Sequence, residues 1–435
     1  MGERVERLNI CIIGKTNAGK SSLLNLLTGQ KDYAIVDATP GTTADNVVSM
    51  MEIHNLGPVK IIDTAGINEQ GELGEKKRKK SMVALEESDL CLLTIDFINA
   101  INGEDLSYEK SLFDYAMEQN KQVLIIYNLF KNKNRIPASE IEFWKNKLDE
   151  SFDVPSIVID IQDYSQQSRL IDFILENFKY VPFDFEMLPK LDNYGCVILN
   201  IPMDEETPEM RLLRPQEMVI ERLLRKFITP VLFRMDLKKA RSSDPEEAKS
   251  EKKRYRDLVN SLDNSPMGLQ MIITDSQAFD IIGRWTPPGI PYTSFSIIMT
   301  KFMTYGNMQY LVESTAAIDN LKENDTVLIS ESCNHNRKCD DIGTVQLPRL
   351  LQKRLGKKLN FEFSFGRVFP DDLSKYNIIV HCGSCMTDRQ KYARRLSNAQ
   401  KYNVPFTNYG MVLSYCQNRD VFAKAIAPFG IELEK

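Results

Sequence analysis

Residues Leu8 to Gly14 read LNICIIG, an unbroken apolar run. GKTNAGKSS follows from Gly14 to Ser22, and the helical run LLNLLTG comes next. A strand feeding G-x-x-x-x-G-K-S and then a helix is the required setting of a phosphate-binding loop. The glycines let backbone N–H groups close around a phosphate chain, and the helix N-terminus adds positive potential. The expected nucleotide contacts are Gly14, Asn17, Ala18, Gly19, Lys20, Ser21 and Ser22. Lys20 should reach the β- and γ-phosphates, and Ser21 should ligate Mg²⁺. An α/β fold is the expectation for this part of the chain.

Two further segments agree in order and spacing. PGTTAD, Pro40 to Asp45, sits where a first switch loop belongs, and VKIIDTAG is a strand ending in Asp63-Thr64-Ala65-Gly66. Thr43 should add a hydroxyl to the metal when a γ-phosphate is present. Asp63 should hold Mg²⁺ through water, and the Gly66 N–H should meet the γ-phosphate. Together these segments resemble the small-GTPase-like translation-factor class, with Lys20, Thr43, Asp63 and Gly66 as the hydrolytic set. Ile67 stands where that class usually has a water-orienting glutamine, and Asn17 resembles the asparagine of potassium-activated GTPases. The resemblance implies slow, K⁺-stimulated hydrolysis of GTP.

The base-reading loop departs from that class. After the strand QVLIIYN the chain has Asn128-Leu129-Phe130-Lys131 where Asn-Lys-x-Asp belongs. The lost carboxylate would accept from guanine N1–H and the 2-amino group, whereas Lys131 offers only donors. A literal Asn146-Lys147-Leu148-Asp149 lies inside SEIEFWKNKLDESF, whose apolar residues recur at helical spacing, so it reads as helix surface. Asp160-Ile161 stands where Ser-Ala is usual, and Asp160 or Asp163 is the candidate replacement for the lost carboxylate.

The remaining chain is bounded by composition. Charged residues make up 26% and the net charge is −5, which argues against a nucleic-acid coat. No apolar run is long enough to span a bilayer. No signal-peptide core opens the sequence, so a cytoplasmic protein is expected. From about Leu269 short apolar runs alternate with helical stretches, which predicts a doubly wound parallel sheet. Two of those runs end in chemistry. DTVLISES leads into Cys333-Asn334-His335, and YNIIV leads into His381-Cys382-Gly383-Ser384-Cys385. C-x-H followed by H-C-x-x-C suits a metal at the C-terminal ends of strands. Three thiolates with one replaceable ligand suit a [4Fe-4S] cluster, and a Cys₃His zinc site is the rival. Cys339 breaks the spacing and reads as a bystander.

A phosphate-binding front, a small middle and a C-x-H…H-C-x-x-C back resemble the [FeFe]-hydrogenase maturation GTPase family. DTAGINEQGELGE (63–75), TDSQAF (274–279), TSFSI (293–297), CDDIG (339–343) and TNYG (407–410) look like that family too. The resemblance implies a P-loop GTPase domain over 1–180, a small α/β dimerisation domain over 181–266 and a cluster domain over 267–435. It implies a scaffold that holds a [4Fe-4S] cluster on Cys333, Cys382 and Cys385, with His335 or His381 as a possible further ligand. The expected partners are two radical-SAM maturases, apo-[FeFe]-hydrogenase and a second copy of the chain, with no nucleic acid and no membrane. The reading from another class is a tRNA-modification or ribosome-assembly GTPase with a zinc-stabilised tail.

Overall fold

The computed structural model describes residues 7–30, 47–64, 72–129, 136–179, 186–203, 212–332, 341–366, 368–384 and 387–433. They form two compact units, 1–182 and 183–435.

The first unit is one six-stranded sheet. Its strands are β1 (Leu8–Ile13), β2 (Val47–Ile53), β3 (Gly57–Asp63), β4 (Leu90–Asp96), β5 (Gln122–Asn128) and β6 (Ser156–Ile159), in the order β2-β3-β1-β4-β5-β6. Only β2 runs antiparallel to its neighbour. The helices are α1 (Lys20–Thr28), α2 (Glu72–Glu86), α3 (Phe97–Ile101), α4 (Ser107–Glu118), α5 (Ala138–Asp149) and α6 (Gln167–Asn177). Strand alternation divides the core in two. Leu8, Ile10 and Ile12 of β1 join Leu23, Leu27 and Ile174 on one face, while Cys11 and Ile13 join Leu85, Leu112 and Phe152 on the other. Apolar side chains on both faces explain why β1, β4 and β5 read as continuous hydrophobic runs.

The second unit holds two four-stranded parallel sheets. The first comprises β7 (Cys196–Asn200), β8 (Thr229–Phe233), β9 (Leu269–Thr274) and β10 (Tyr292–Ser294). Between and after them come α7 (Arg214–Arg225), α8 (Leu237–Ala240), α9 (Pro245–Asp263), α10 (Phe279–Trp285), α11 (Phe295–Met303) and α12 (Met308–Ala316). The second comprises β11 (Thr326–Glu331), β12 (Asn360–Phe365), β13 (Ile378–His381) and β14 (Phe406–Asn408). Its helices are α13 (Leu347–Leu355), α14 (Arg389–Lys401), α15 (Tyr409–Gln417) and α16 (Arg419–Ile426). The runs at 269 and 292 therefore differ from the sequence expectation. β9 pairs onto β7 and β10 onto β9 in the first of these sheets, so a division after 266 passes through one sheet. Successive parallel strands joined by helices settle beside one another, and that adjacency outweighs composition.

These two sheets share one plan. Numbered within each, the strand order is 4-3-1-2 in the first (β10-β9-β7-β8) and, read from the opposite edge, in the second. Pro291-Tyr292-Thr293-Ser294-Phe295 corresponds to Pro405-Phe406-Thr407-Asn408-Tyr409. Ser294 caps α11 by accepting from Ile297 N, and Asn408 caps α15 by accepting from Met411 N. The two halves meet at equivalent positions, since a Cβ on Gly410 would collide with Ser296.

Candidate functional site

The β1–α1 loop is shaped by backbone that ordinary residues avoid. Gly14, Asn17 and Gly19 have φ of 150°, 65° and 102°. A Cβ at Gly14 would strike the Thr94 carbonyl, and one at Gly19 would strike Ile161 and the Asn128 amide. Gly19 begins α1 without a side-chain cap, which leaves the first-turn N–H groups able to receive an anion.

Lys20 folds back over this loop. Its Nζ donates to the Gly14 carbonyl at 3.1 Å and the Lys15 carbonyl at 2.7 Å. Burial lowers its ammonium to about 8 from 10.5, against the upward pull of Asp63. Ser21 Oγ donates to Asp63 Oδ2 at 2.6 Å. The Asp63 carboxyl is pushed up by burial, opposed by the Ser21 hydrogen bond and the Lys20 charge. Its Oδ1 is buried and has no hydrogen-bond partner among the described residues. A hard hydroxyl and an orphaned carboxylate oxygen side by side are the donor set a Mg²⁺ ion takes. Lys15 is drawn away from the phosphate position, onto Glu104 at 3.1 Å, Glu109 at 3.4 Å and the Asp105 carbonyl at 2.9 Å.

The Lys20 geometry predicts a pH signature. Phosphates beside Nζ favour the charged form, so binding raises a pKa that starts near 8. At pH 8.5 binding should take up about three quarters of a proton, and near pH 6.5 this contribution should vanish because Lys20 is already charged. The stability sign is consistent. The depressed pKa costs stability below about 8, and the cost fades as pH rises towards 10.5. Calorimetry at pH 8.5 in two buffers of different ionisation enthalpy measures the uptake, and no uptake there sinks the assignment.

Asn128 ends β5, fully buried, and its Nδ2 donates to the Ala18 carbonyl at 3.2 Å. Asn146 to Asp149 lie in α5, where Asp149 accepts from Tyr127, Lys145 and Ser156. That aspartate locks a helix onto the sheet. Thr43, Gly66, Phe130 and Lys131 lie outside the described residues.

The second region lies at the C-terminal ends of β11 and β13. Cys333, His335, Cys339 and Cys385 lie outside the described residues, and Cys382 lies within them. Cys382 is 8% exposed, its N–H donates to the Ser330 carbonyl at 2.8 Å, and its Sγ accepts from Ser332 N at 3.2 Å. The last described residue before Cys333 thus donates to the Cys382 sulfur. Among the described residues no group of three or more His, Cys, Asp and Glu side chains is placed to hold a metal.

His381 is fully buried, with both ring nitrogens on protein partners. Arg395 NH1 lies 3.0 Å from Nε2, and the Cys382 carbonyl lies 2.8 Å from Nδ1. A guanidinium only donates, so Nε2 accepts and Nδ1 carries the proton. Arg395 also donates to Ser330 Oγ at 3.1 Å, Ser332 Oγ at 3.2 Å and the Gly366 carbonyl at 2.7 Å. Sequence reasoning missed Arg395. Its one signal is a cation beside Tyr392, Leu396 and Ala399 on the buried side of α14.

Comparison with known proteins places three family models along the chain. Residues 9–129 match the one described as 50S ribosome-binding GTPase. Residues 246–304 match the hydrogen maturase F dimerization domain, and residues 309–428 match the hydrogen maturase F tetramerization domain. GTPase Der of Clostridium botulinum strain Loch Maree is 38% identical over 131 residues, 29% of this chain and 28% of that protein. GTPase Der of Clostridium kluyveri strain ATCC 8527 is 36% identical over 130 residues, with the same coverage. The chain thus spans about 28% of the length of these curated relatives. An Era variant from Aquifex aeolicus bound to GDP and aluminium fluoride overlaps 56% of this chain and 98% of its own, at 20% identity and TM-score 0.36. A probable GTP-binding protein engB overlaps 39% and 97%, at 24% identity and TM-score 0.30.

Proposed function

The chain belongs to the hydrogen maturase F family, and from that premise we propose that it is a nucleotide-regulated scaffold for hydrogenase assembly. It holds a [4Fe-4S] cluster on Cys333, Cys382 and Cys385 and delivers a di-iron precursor, received with two radical-SAM maturases, to apo-[FeFe]-hydrogenase. The observation that carries this is the Ser332 N–H donated to Cys382 Sγ. It supports the reading because it joins the two strand ends that bear the thiols and supplies the kind of hydrogen bond that stabilises a ligating thiolate. A bound cluster supplies an iron with an open or exchangeable position. The chain's residues do the rest. Arg395 holds His381, His381 holds the Cys382 carbonyl, and His335 is left as the candidate fourth ligand.

In the front unit Lys20 neutralises β- and γ-phosphate charge, and the α1 N–H groups orient the triphosphate. Ser21 and Thr43, with Asp63 behind them, would hold Mg²⁺. The Gly66 N–H would sense the γ-phosphate, and Asn17 would hold K⁺. Hydrolysis of GTP then times partner exchange. A homodimer through the middle of the chain is supported by the open edge of β8. There Leu232 is 61% exposed, and Leu224 of α7 and Phe227, on which Tyr194 stacks, are exposed too.

The test is anaerobic reconstitution followed by metal analysis, visible spectroscopy and phosphate release in K⁺ against Na⁺. Close to four irons per chain, with sulfide-to-iron absorption and faster release in K⁺, is expected. A colourless protein with one zinc per chain would favour the ribosome-assembly reading instead.

A further inference from the structure

The loop after β5 lacks the carboxylate that would read guanine, and two aspartates beyond β6 carry the same chemistry. Their surroundings separate them. Asp163 is committed to a local turn. Its Oδ1 accepts from Ser165 N at 3.1 Å and Ser165 Oγ at 2.7 Å, and its Oδ2 accepts from Gln166 Nε2 at 3.2 Å. Asp160 directly follows β6. Ile159, the residue before it, pairs in register with Asn128, and Leu129 N donates to the Ile159 carbonyl at 3.0 Å. Ile161, the residue after it, is buried against Gly19 of the phosphate loop, beside the Asn128 amide. Asp160 is thus flanked by two residues packed where Asn128 meets the phosphate loop. It is half-buried. Its Oδ1 accepts one local N–H, from Gln162 at 3.0 Å, and its Oδ2 accepts none among the described residues.

We propose that Asp160 is the guanine-reading carboxylate of this chain, a specificity residue supplied by the neighbouring strand in place of the lost aspartate. This rests on the GTPase reading above. Guanine presents two donors, N1–H and the 2-amino group, and a carboxylate presents two acceptors. Adenine presents an acceptor at N1 and no 2-amino group, so the same carboxylate rejects it. Xanthine keeps N1–H and replaces the amino group with a carbonyl. A side-chain amide, with one acceptor and one donor, matches xanthine and mismatches guanine.

The experiment is equilibrium binding of GTP, XTP and ATP to the full chain, to Asp160→Asn and to Asp163→Asn. The parent should prefer GTP to both others. Asp160→Asn should weaken GTP roughly 10- to 100-fold and strengthen XTP, inverting their ratio. Asp163→Asn should leave the ratio unchanged. Loss of fold would remove both nucleotides together, so retained or strengthened XTP binding in Asp160→Asn separates lost recognition from lost fold. An unchanged ratio in Asp160→Asn overturns the proposal and leaves the GTPase reading standing. A parent that does not prefer GTP overturns the GTPase reading itself.

Discussion

Replacing Cys382 with serine should empty the cluster site while GTP affinity stays within about twofold of the parent. A serine oxygen at that position is a far poorer soft-metal ligand than a thiolate at neutral pH. With one of three sulfur ligands gone, iron per chain should fall from about four to below one. The nucleotide loop belongs to the first unit, with its own two-sided core built on β1, and Cys382 belongs to the second. Iron and sulfide analysis after anaerobic reconstitution, with a fluorescent-nucleotide titration on the same sample, reads both outcomes. Iron at the parental level would remove Cys382 from the ligand set.

Arg395→Leu should destabilise the second unit by about 3 kcal/mol and leave the first unchanged. The guanidinium is 1% exposed and donates to Ser330, Ser332, His381 and the Gly366 carbonyl. Leucine fills much of the volume; Ser332 and His381 keep each other and the Gly366 carbonyl keeps Lys391, so one or two groups are left unsatisfied at about 1–3 kcal/mol each. The chain has two tryptophans, Trp144 in the first unit and Trp285 in the second, so each unit carries its own reporter. In a Trp144→Phe background, Trp285 fluorescence should show the urea midpoint of Arg395→Leu falling by 1 M or more, given about 1–3 kcal/mol per molar urea. In a Trp285→Phe background the Trp144 transition should not move. Equal midpoints with and without Arg395 would mean solvent or a rearranged neighbour satisfies those groups.

Legibility in the sequence followed how local each interaction is. Gly14, Lys20 and Ser21 are contiguous with the strand and helix that aim them, so their chemistry could be read in order along the chain. Asp63 could be read because its strand ends in a recognisable turn of sequence. Arg395 was hidden because a buried cation on α14 has the same residue pattern as a solvated one until β11 and β13 are laid against it. The shared plan of the two C-terminal sheets was hidden too. Their likeness lies in strand order, register and caps, and only the Pro-aromatic-Thr segments show it in residues. The choice between Asp160 and Asp163 needed hydrogen-bond partners, which no spacing rule supplies.

The doubled sheet also doubles an outer edge. In each half the second strand is an outer edge, β8 in one and β12 in the other. Both edges show apolar side chains to solvent, Leu232 on β8 and Phe363, 40% exposed, on β12. Repeating a half repeats its outer edge, so the second unit presents two such edges among the described residues where a single sheet of this order would present one. Self-pairing at one edge ends at a dimer. Self-pairing at both closes into a tetramer when the two symmetry axes intersect, and runs on as a filament when they do not. The angle between the two halves, which pack Gly410 against Ser296, therefore decides between a finite particle and a fibre if both edges pair.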